Sequence, residues 1–170
     1  MSSLMIKLVN TLDQCFERID KILTEKNVKS TMDMKVCVYR NWNSTAEKVL
    51  ETTSFETKPN NLRKFVQRIS VDGGWGNEAL EVFYQHINKI DEVDQIILIG
   101  DAPANERDET TSRRQSKSEK YWNDHKFPLC YAEDEVNKII GRKIPIHSFY
   151  LNRYCQKYFE SVSSRTSGKS

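Results

Sequence analysis

A chain of 170 residues that is 38% hydrophobic and 29% charged is long enough to bury a core and too polar to be built of membrane spans. Its 26 basic and 24 acidic residues leave a net charge of +2, a balance in which nothing points to nucleic acid or membrane. Arg113-Arg114, the densest basic pair, sits beside Asp108, Glu109 and Glu119 and reads as a solvated face.

Cys15, Cys37, Cys130 and Cys155 stand far apart with no Cys-x-x-Cys pair, which argues against zinc and against a redox motif and predicts reduced, packed thiols. With no signal peptide and no apolar run long enough to cross a bilayer, the chain is expected to be cytoplasmic.

Leu4, Leu8, Leu12, Cys15, Phe16, Ile19, Ile22 and Leu23 recur at three- and four-residue steps and predict an amphipathic helix reaching about Asn27, with Ser2 or Ser3 as N-cap. The alternation over Met34 to Tyr39 and the β-favouring segment Val49 to Phe55 predict two paired strands, joined through Asn41, Asn43 and Ser44. After Pro59-Asn60, the positions Leu62, Phe65, Val66 and Ile69 predict a second helix, ended by Asp72-Gly73-Gly74. A third helix is expected from about Asn77 to Asn88, carrying Leu80, Val82, Phe83, Tyr84 and Ile87.

Ile96-Ile97-Leu98-Ile99 is an apolar run without alternation that stops at Gly100-Asp101. It reads as a strand of a parallel sheet buried on both faces, and it delivers Asp101 to the carboxyl edge, where open α/β sheets bind ligands. The polar stretch Asn105 to Asp124 predicts a solvent-facing helix plus loop, a weakly packed cover near Asp101 anchored by Tyr121 and Trp122. A helix over Glu133 to Gly141, a strand within Lys143 to Leu151 and a last helix carrying Tyr154, Tyr158 and Phe159 complete the order, and Ser161 to Ser170 reads as a disordered tail. Alternating strands and helices predict an α/β class of doubly wound, three-layer architecture with a mostly parallel sheet. Such sheets are built by strand-helix-strand crossovers, yet this chain opens on a helix.

Four motifs in order, Tyr39-Arg40-Asn41, Gly73-Gly74-Trp75-Gly76-Asn77-Glu78, Ile97-Leu98-Ile99-Gly100-Asp101-Ala102-Pro103 and Ile144-Pro145-Ile146-His147-Ser148-Phe149-Tyr150, resemble a von Willebrand factor type A domain. The likeness covers residues 1–160, leaving 161–170 as the tail, and is nearest to the intracellular branch related to the alpha-kinase and hemicentin versions. It implies a Rossmann-like fold and a protein-interaction module. It also implies Mg²⁺ at the carboxyl edge, held by an Asp-x-Ser-x-Ser loop after the first strand, by a residue of the Gly-Gly loop and by the aspartate after the fourth strand, with one position left for a partner's carboxylate.

On this sequence the resemblance assigns metal ligation to Asp101, Asn77 and Asn41, and partner contact to Gly74, Trp75, Gly76, Glu78, Ala102 and Asn105. Asn77 and Asn41 stand where relatives commonly carry charge, so Mg²⁺ binding is expected to be weak or absent. Met1-Ser2-Ser3 matches the position just after the Asp-x-Ser-x-Ser loop, so the resemblance implies a truncated domain whose central first strand lies outside this chain.

The residues also have plainer readings: Asp101 as a turn residue, Asn77 as a helix cap, the glycines as a tight turn and Trp75 as a packed side chain. His86, His125 and His147 have no partner at metal spacing. No Gly-x-Ser-x-Gly, His-Glu-x-x-His or Cys with a neighbouring His is present, which argues against an enzyme. The alternatives are a metal-dependent hydrolase that uses Asp101 with Asp72 or Glu78, and a non-functional fragment.

Overall fold

A computed structural model describes residues 32–70 and 75–170, together with residues 14, 17, 18, 21, 22 and 24–27. Gln14, Glu17, Arg18, Lys21, Ile22, Thr24 and Glu25 are helical, as the amino-terminal periodicity predicts. Leu4, Leu8, Leu12, Cys15, Phe16, Ile19 and Leu23 lie outside the described residues, as do Asp72, Gly73 and Gly74. The chain divides into two compact units, Met1–Val38 with Thr52–Gly73, and Tyr39–Glu51 with Gly74–Ser170.

In the first unit the chain is extended on either side of a hairpin whose tip belongs to the second. Met34 and Glu56 form an antiparallel bridge, and Thr53 N donates to Val36 O at 3.0 Å. The short strands β1 (Cys37–Tyr39) and β2 (Leu50–Thr52) pair between the two ends of this hairpin. Helix α2 (Pro59–Arg68) starts on the proline, whose missing N–H costs nothing in a first turn. Its Phe65 and Val66 are buried, and Val36, Val38 and Ile69 pack against them.

The second unit begins with the hairpin tip, where α1 (Ala46–Val49) takes Val49 out of the expected strand. The reason is packing: Val49 and Ala46 are buried with Trp42, Ala79, Val82 and Trp122 in one cluster, which a strand side chain at 49 would leave. Helix α3 (Leu80–Asn88) starts three residues later than its pattern suggests. Glu78 is instead held extended in a parallel bridge to Ala104, with Glu78 N donating to Pro103 O at 2.9 Å and Asn105 N to Glu78 O at 3.0 Å. Helix α3 packs on α6 (Ala132–Gly141), and the Arg142 guanidinium following α6 donates to Ile87 O, Ile90 O and Asp91 O, filling orphan carbonyls at the end of α3.

Strands β3 (Ile96–Gly100) and β4 (Ile146–Tyr150) pair in parallel, with Ile96 opposite Ile146 and Gly100 opposite Tyr150. The described strands thus form two two-stranded sheets, one of them parallel, within a mixed α/β chain. The expectation that β3 is buried on both faces is not met. Ile96, Leu98, Ile146 and Ser148 are buried, whereas Ile97, Ile99 and Phe149 are 53%, 38% and 56% exposed. Successive side chains alternate across a sheet, and among the described residues only one face of this pair is covered. The covering element on that face is α7 (Gln156–Arg165), where Ser148 Oγ donates to Phe159 O at 2.9 Å and meets Ser163 Oγ at 2.6 Å.

Two further expectations change. Residues 105–124 are not a weakly packed cover: they fold into α4 (Arg107–Arg114), a 3₁₀ turn (Gln115–Lys117) and α5 (Glu119–Asp124), with Thr110, Arg114 and Trp122 fully buried. The Arg114 guanidinium lies 4.5 Å from the Trp42 ring centroid and is forked onto Glu119 at 2.7 and 2.5 Å, which is how a buried cation is tolerated.

Residues 161–170 are likewise not a loose tail. Helix α7 continues to Arg165, Thr166 Oγ1 accepts from Ile146 N at 3.0 Å, and Lys169 O accepts from Ser148 N at 2.8 Å. The polar composition that reads as disorder is used to satisfy the backbone of β4. Gly168 makes this approach feasible, because a Cβ there would collide with the Ile146 carbonyl.

Candidate functional site

The candidate site is the rim at the carboxyl end of β3, built from three stretches of the second unit. Strand β3 carries Asp101 into solvent just beyond Gly100. The Glu78–Ala104 bridge holds Asn77 and Glu78 beside the 101–106 segment. The hairpin tip supplies Asn41, whose Nδ2 donates to Asn77 O.

Asn41 is 1% exposed, and its amide is already occupied. Its Oδ1 accepts from Trp42 N at 2.8 Å and from Asn105 Nδ2 at 3.1 Å, which uses both lone pairs. Asn105, also buried, passes the network on: its Nδ2 donates to Glu81 Oε1 at 3.2 Å, and its Oδ1 accepts from Arg113 Nη1. Arg113 also donates to Asn77 O at 3.2 Å and to Glu109 Oε1 at 2.8 Å, and its guanidinium lies 5.0 Å from the centre of the Trp75 ring. Asn77 is similarly engaged, with Nδ2 on Glu109 Oε2 at 2.6 Å and Oδ1 accepting from Tyr154 OH at 2.9 Å. Glu109 closes a capping box with Glu106 at the start of α4, so the helix terminus fixes the carboxylate that orients Asn77.

Two carboxyl groups are perturbed here. Burial, reinforced by the neighbouring Asp101, pushes Glu78 up to about 7 against the opposing pull of Arg113 and Arg40. Its Oε2 is buried and accepts no hydrogen bond among the described residues. Burial also raises Glu81 to about 7, although Trp42 Nε1 at 2.7 Å, Thr110 Oγ1 at 3.1 Å and Asn105 all donate to its Oε1. Its Oε2 is buried without a partner among the described residues.

The expected residues therefore divide. Asn41, Asn77 and Asn105 are brought together in one hydrogen-bonded network; Asp101 lies close enough to Glu78 to raise the cost of charging Glu78. Trp75 is 41% exposed at the rim, Gly76 is exposed beside it, and Ala102 is buried just behind it. Gly74 lies outside the described residues. A divalent cation held by Asp101, Asn77 and Asn41 together does not fit this arrangement, because the Asn41 oxygen is saturated and buried and the Asn77 oxygen accepts from Tyr154. No group of three Asp, Glu, His or Cys side chains is arranged to hold a metal among the described residues.

Sequence reasoning missed Glu81, Glu109, Arg113 and Tyr154. A carboxylate alone in the apolar run Ala79-Leu80-Glu81-Val82-Phe83 is a readable signal, and the Glu109/Arg113 spacing of four marks a helical pair. Nothing local in the sequence marks Tyr154.

Comparison of the chain with protein-family models, with curated proteins and with solved structures found no match. Among the described residues no helix is long and apolar enough to cross a membrane.

Proposed function

We propose that the chain is a protein-interaction module of the von Willebrand factor type A kind, with the three-layer, doubly wound sheet of that family. In this reading it contacts a partner protein through the rim formed by Asp101, Trp75, Gly76 and Glu78, with Ala102 and Asn105 supporting it. The observation that carries the reading is convergence: residues 41, 77–78 and 101–105, far apart in sequence and singled out by separate motifs, meet at the carboxyl end of a parallel strand pair. The rim works without a resident ion, since the Asn41 amide oxygen is committed to Trp42 N and Asn105 Nδ2 and the Asn77 amide oxygen accepts from Tyr154 OH. Asp101 presents an exposed carboxylate to the partner and the Trp75–Arg113 stack presents an aromatic face, a composition suited to an interface anchor.

The test is affinity capture with the intact chain and with Asp101→Ala, each in EDTA and in Mg²⁺. The expected result is a partner retained by the parent chain in both buffers and lost by the variant, whose melting temperature stays within about 2 °C because Asp101 is exposed. Equal capture by both proteins rejects the rim, and capture that requires Mg²⁺ rejects the metal-free form. A hydrolytic reading draws on the Glu78 carboxyl, raised to about 7 by burial and by the neighbouring Asp101, as a general acid. It requires turnover of an ester or phosphate ester that Asp101→Ala and Glu78→Gln both abolish.

A further inference from the structure

The backbone that follows α7 closes the outer edge of β4 in two steps. At the end of the helix, Thr166 Oγ1 accepts from Ile146 N at 3.0 Å, and Gly168 N is tied back to Ser163 O at 2.8 Å. Lys169 is then held by β4 itself: its carbonyl accepts from Ser148 N at 2.8 Å, and its N–H donates to His147 Nδ1 at 3.2 Å. The chain reaches this position through Ser167, whose φ of 60° lies in a region that residues with a Cβ seldom occupy, so the closed strap carries backbone strain.

A backbone N–H can only donate, so the bond from Lys169 fixes the state of the ring. Nδ1 carries no proton and Nε2 carries the single proton of a neutral imidazole. An imidazolium has an N–H at both positions and sets one donor against another. Imidazole is also the side chain that ordinarily changes charge between about pH 5 and 8.

The groups around the ring do not replace that bond. Ser148 faces α7 through Phe159 O and Ser163 Oγ, so His147, one residue earlier, points to the other side of the sheet, beside Ile97 of β3. The charged residues of α7, Lys157, Glu160 and Arg165, belong to the far side, where Glu160 accepts from Gln156 and Arg165 is forked on Glu133. Asp94 precedes β3, and Arg142 and Lys143 precede β4, with Arg142 committed to the carbonyls at the end of α3. On the strap the charge is that of Lys169, on the very residue the ring holds, so a positive ring adds like-charge repulsion to the lost bond.

We propose that His147 is an acid-released latch: its neutral ring holds Lys169 on the outer edge of β4, and a proton taken up at Nδ1 frees Lys169 and bares the Ser148 amide. The latch goes beyond the rim reading, because it acts at the outer edge of β4 and is read there whatever the rim binds.

The test is amide hydrogen exchange on the full chain, followed by NMR at about pH 7.5 and about pH 5, with each rate divided by that of an unstructured amide at the same pH. Protection of Ser148 N–H is expected to fall on the order of fivefold relative to that of Leu98 on acidification, the effect of one lost hydrogen bond. His147→Asn offers an oxygen acceptor near the place of Nδ1 and takes up no proton, so it is expected to keep Ser148 protected at both pH values. Nitrogen shifts of the ring at about pH 7.5 are expected to show the proton on Nε2. The proposal is overturned if the Ser148 to Leu98 ratio does not change with pH, if it falls equally in His147→Asn, or if the neutral ring carries its proton on Nδ1.

Discussion

Glu81 is the residue on which the rim geometry turns. It is fully buried on α3 and receives hydrogen bonds from the hairpin tip through Trp42, from the 104–105 loop through Asn105 and from α4 through Thr110, and so ties the hairpin tip and the 101–106 segment to α3 and α4. Its folded-state pKa of about 7 lies above the ordinary 4.5, as does that of Glu78, so the folded chain holds these protons more tightly than the unfolded chain. Their contribution to stability is therefore complete below about pH 4.5 and is lost as pH rises through 7. Carboxyls held low, Glu109 and Glu133 among them, act in the opposite sense and lose their contribution as pH falls. The melting temperature is expected to be higher at about pH 5.5 than at about pH 8, and calorimetry across that range checks it. Glu81→Gln keeps an oxygen acceptor for the three donors and cannot ionise; it is expected to flatten the pH dependence by up to about 3 kcal/mol. An unchanged slope in that variant locates the titration elsewhere.

Asn41 and Asn105 show why residue identity at a site is not residue role. Both were singled out for contact or ligation, and both are buried amides whose hydrogen bonds hold neighbouring loops together. A buried amide left unpaired costs about 1–3 kcal/mol, so side chains of this kind are spent on structure once the fold closes over them. Asp101, by contrast, is exposed just beyond the end of β3.

Among elements, the carboxyl-terminal segment does the least expected work. Thr166 and Lys169 finish the outer edge of β4, and Ser163 bonds to Ser148 beneath it, so residues that look like a solvated tail behave as a strap. Gly168→Ala is expected to lower the melting temperature by about 5 °C or more, since the added methyl collides with the Ile146 carbonyl and the strap must lift. Hydrogen exchange at Ile146 and Ser148 then accelerates while that of Leu98 does not. Loss of protection throughout β3 and β4 instead would mean that the strap supports the whole pair. The 105–124 segment carries the same lesson with charge: Arg114 is buried because two tryptophans and Glu119 surround it, none of which a hydropathy pattern can weigh.

At the scale of the whole molecule, all three tryptophans, Trp42, Trp75 and Trp122, belong to the second unit, and they occupy different environments. Trp42 and Trp122 are fully buried in an edge-to-face pair with centroids 4.8 Å apart, whereas Trp75 is exposed at the rim under Arg113. Iodide is expected to quench one of these three emitters, and Trp75→Phe is expected to remove the quenchable fraction while leaving the unfolding midpoint within about 2 °C. A partner bound at the rim shields the same fraction. Quenching of two or more tryptophans would show that the cluster around Arg114 opens in solution.

The sequence by itself determined what depends on neighbours a few residues away: the α/β class, the placement of α2, α3, α6 and the two parallel strands to within a few residues, and the delivery of Asp101 to the end of β3. Periodicity, proline at a helix start and an apolar run ended by Gly-Asp all act locally, so they survive in a single chain read left to right. The tertiary structure alone decided which face of β3 is covered, that Asn41 turns inward, that Glu81 anchors the rim, and that the last residues close an edge. Each of those outcomes depends on groups remote in the chain competing for the same buried space and the same hydrogen bonds, and that competition is resolved only when the chain folds.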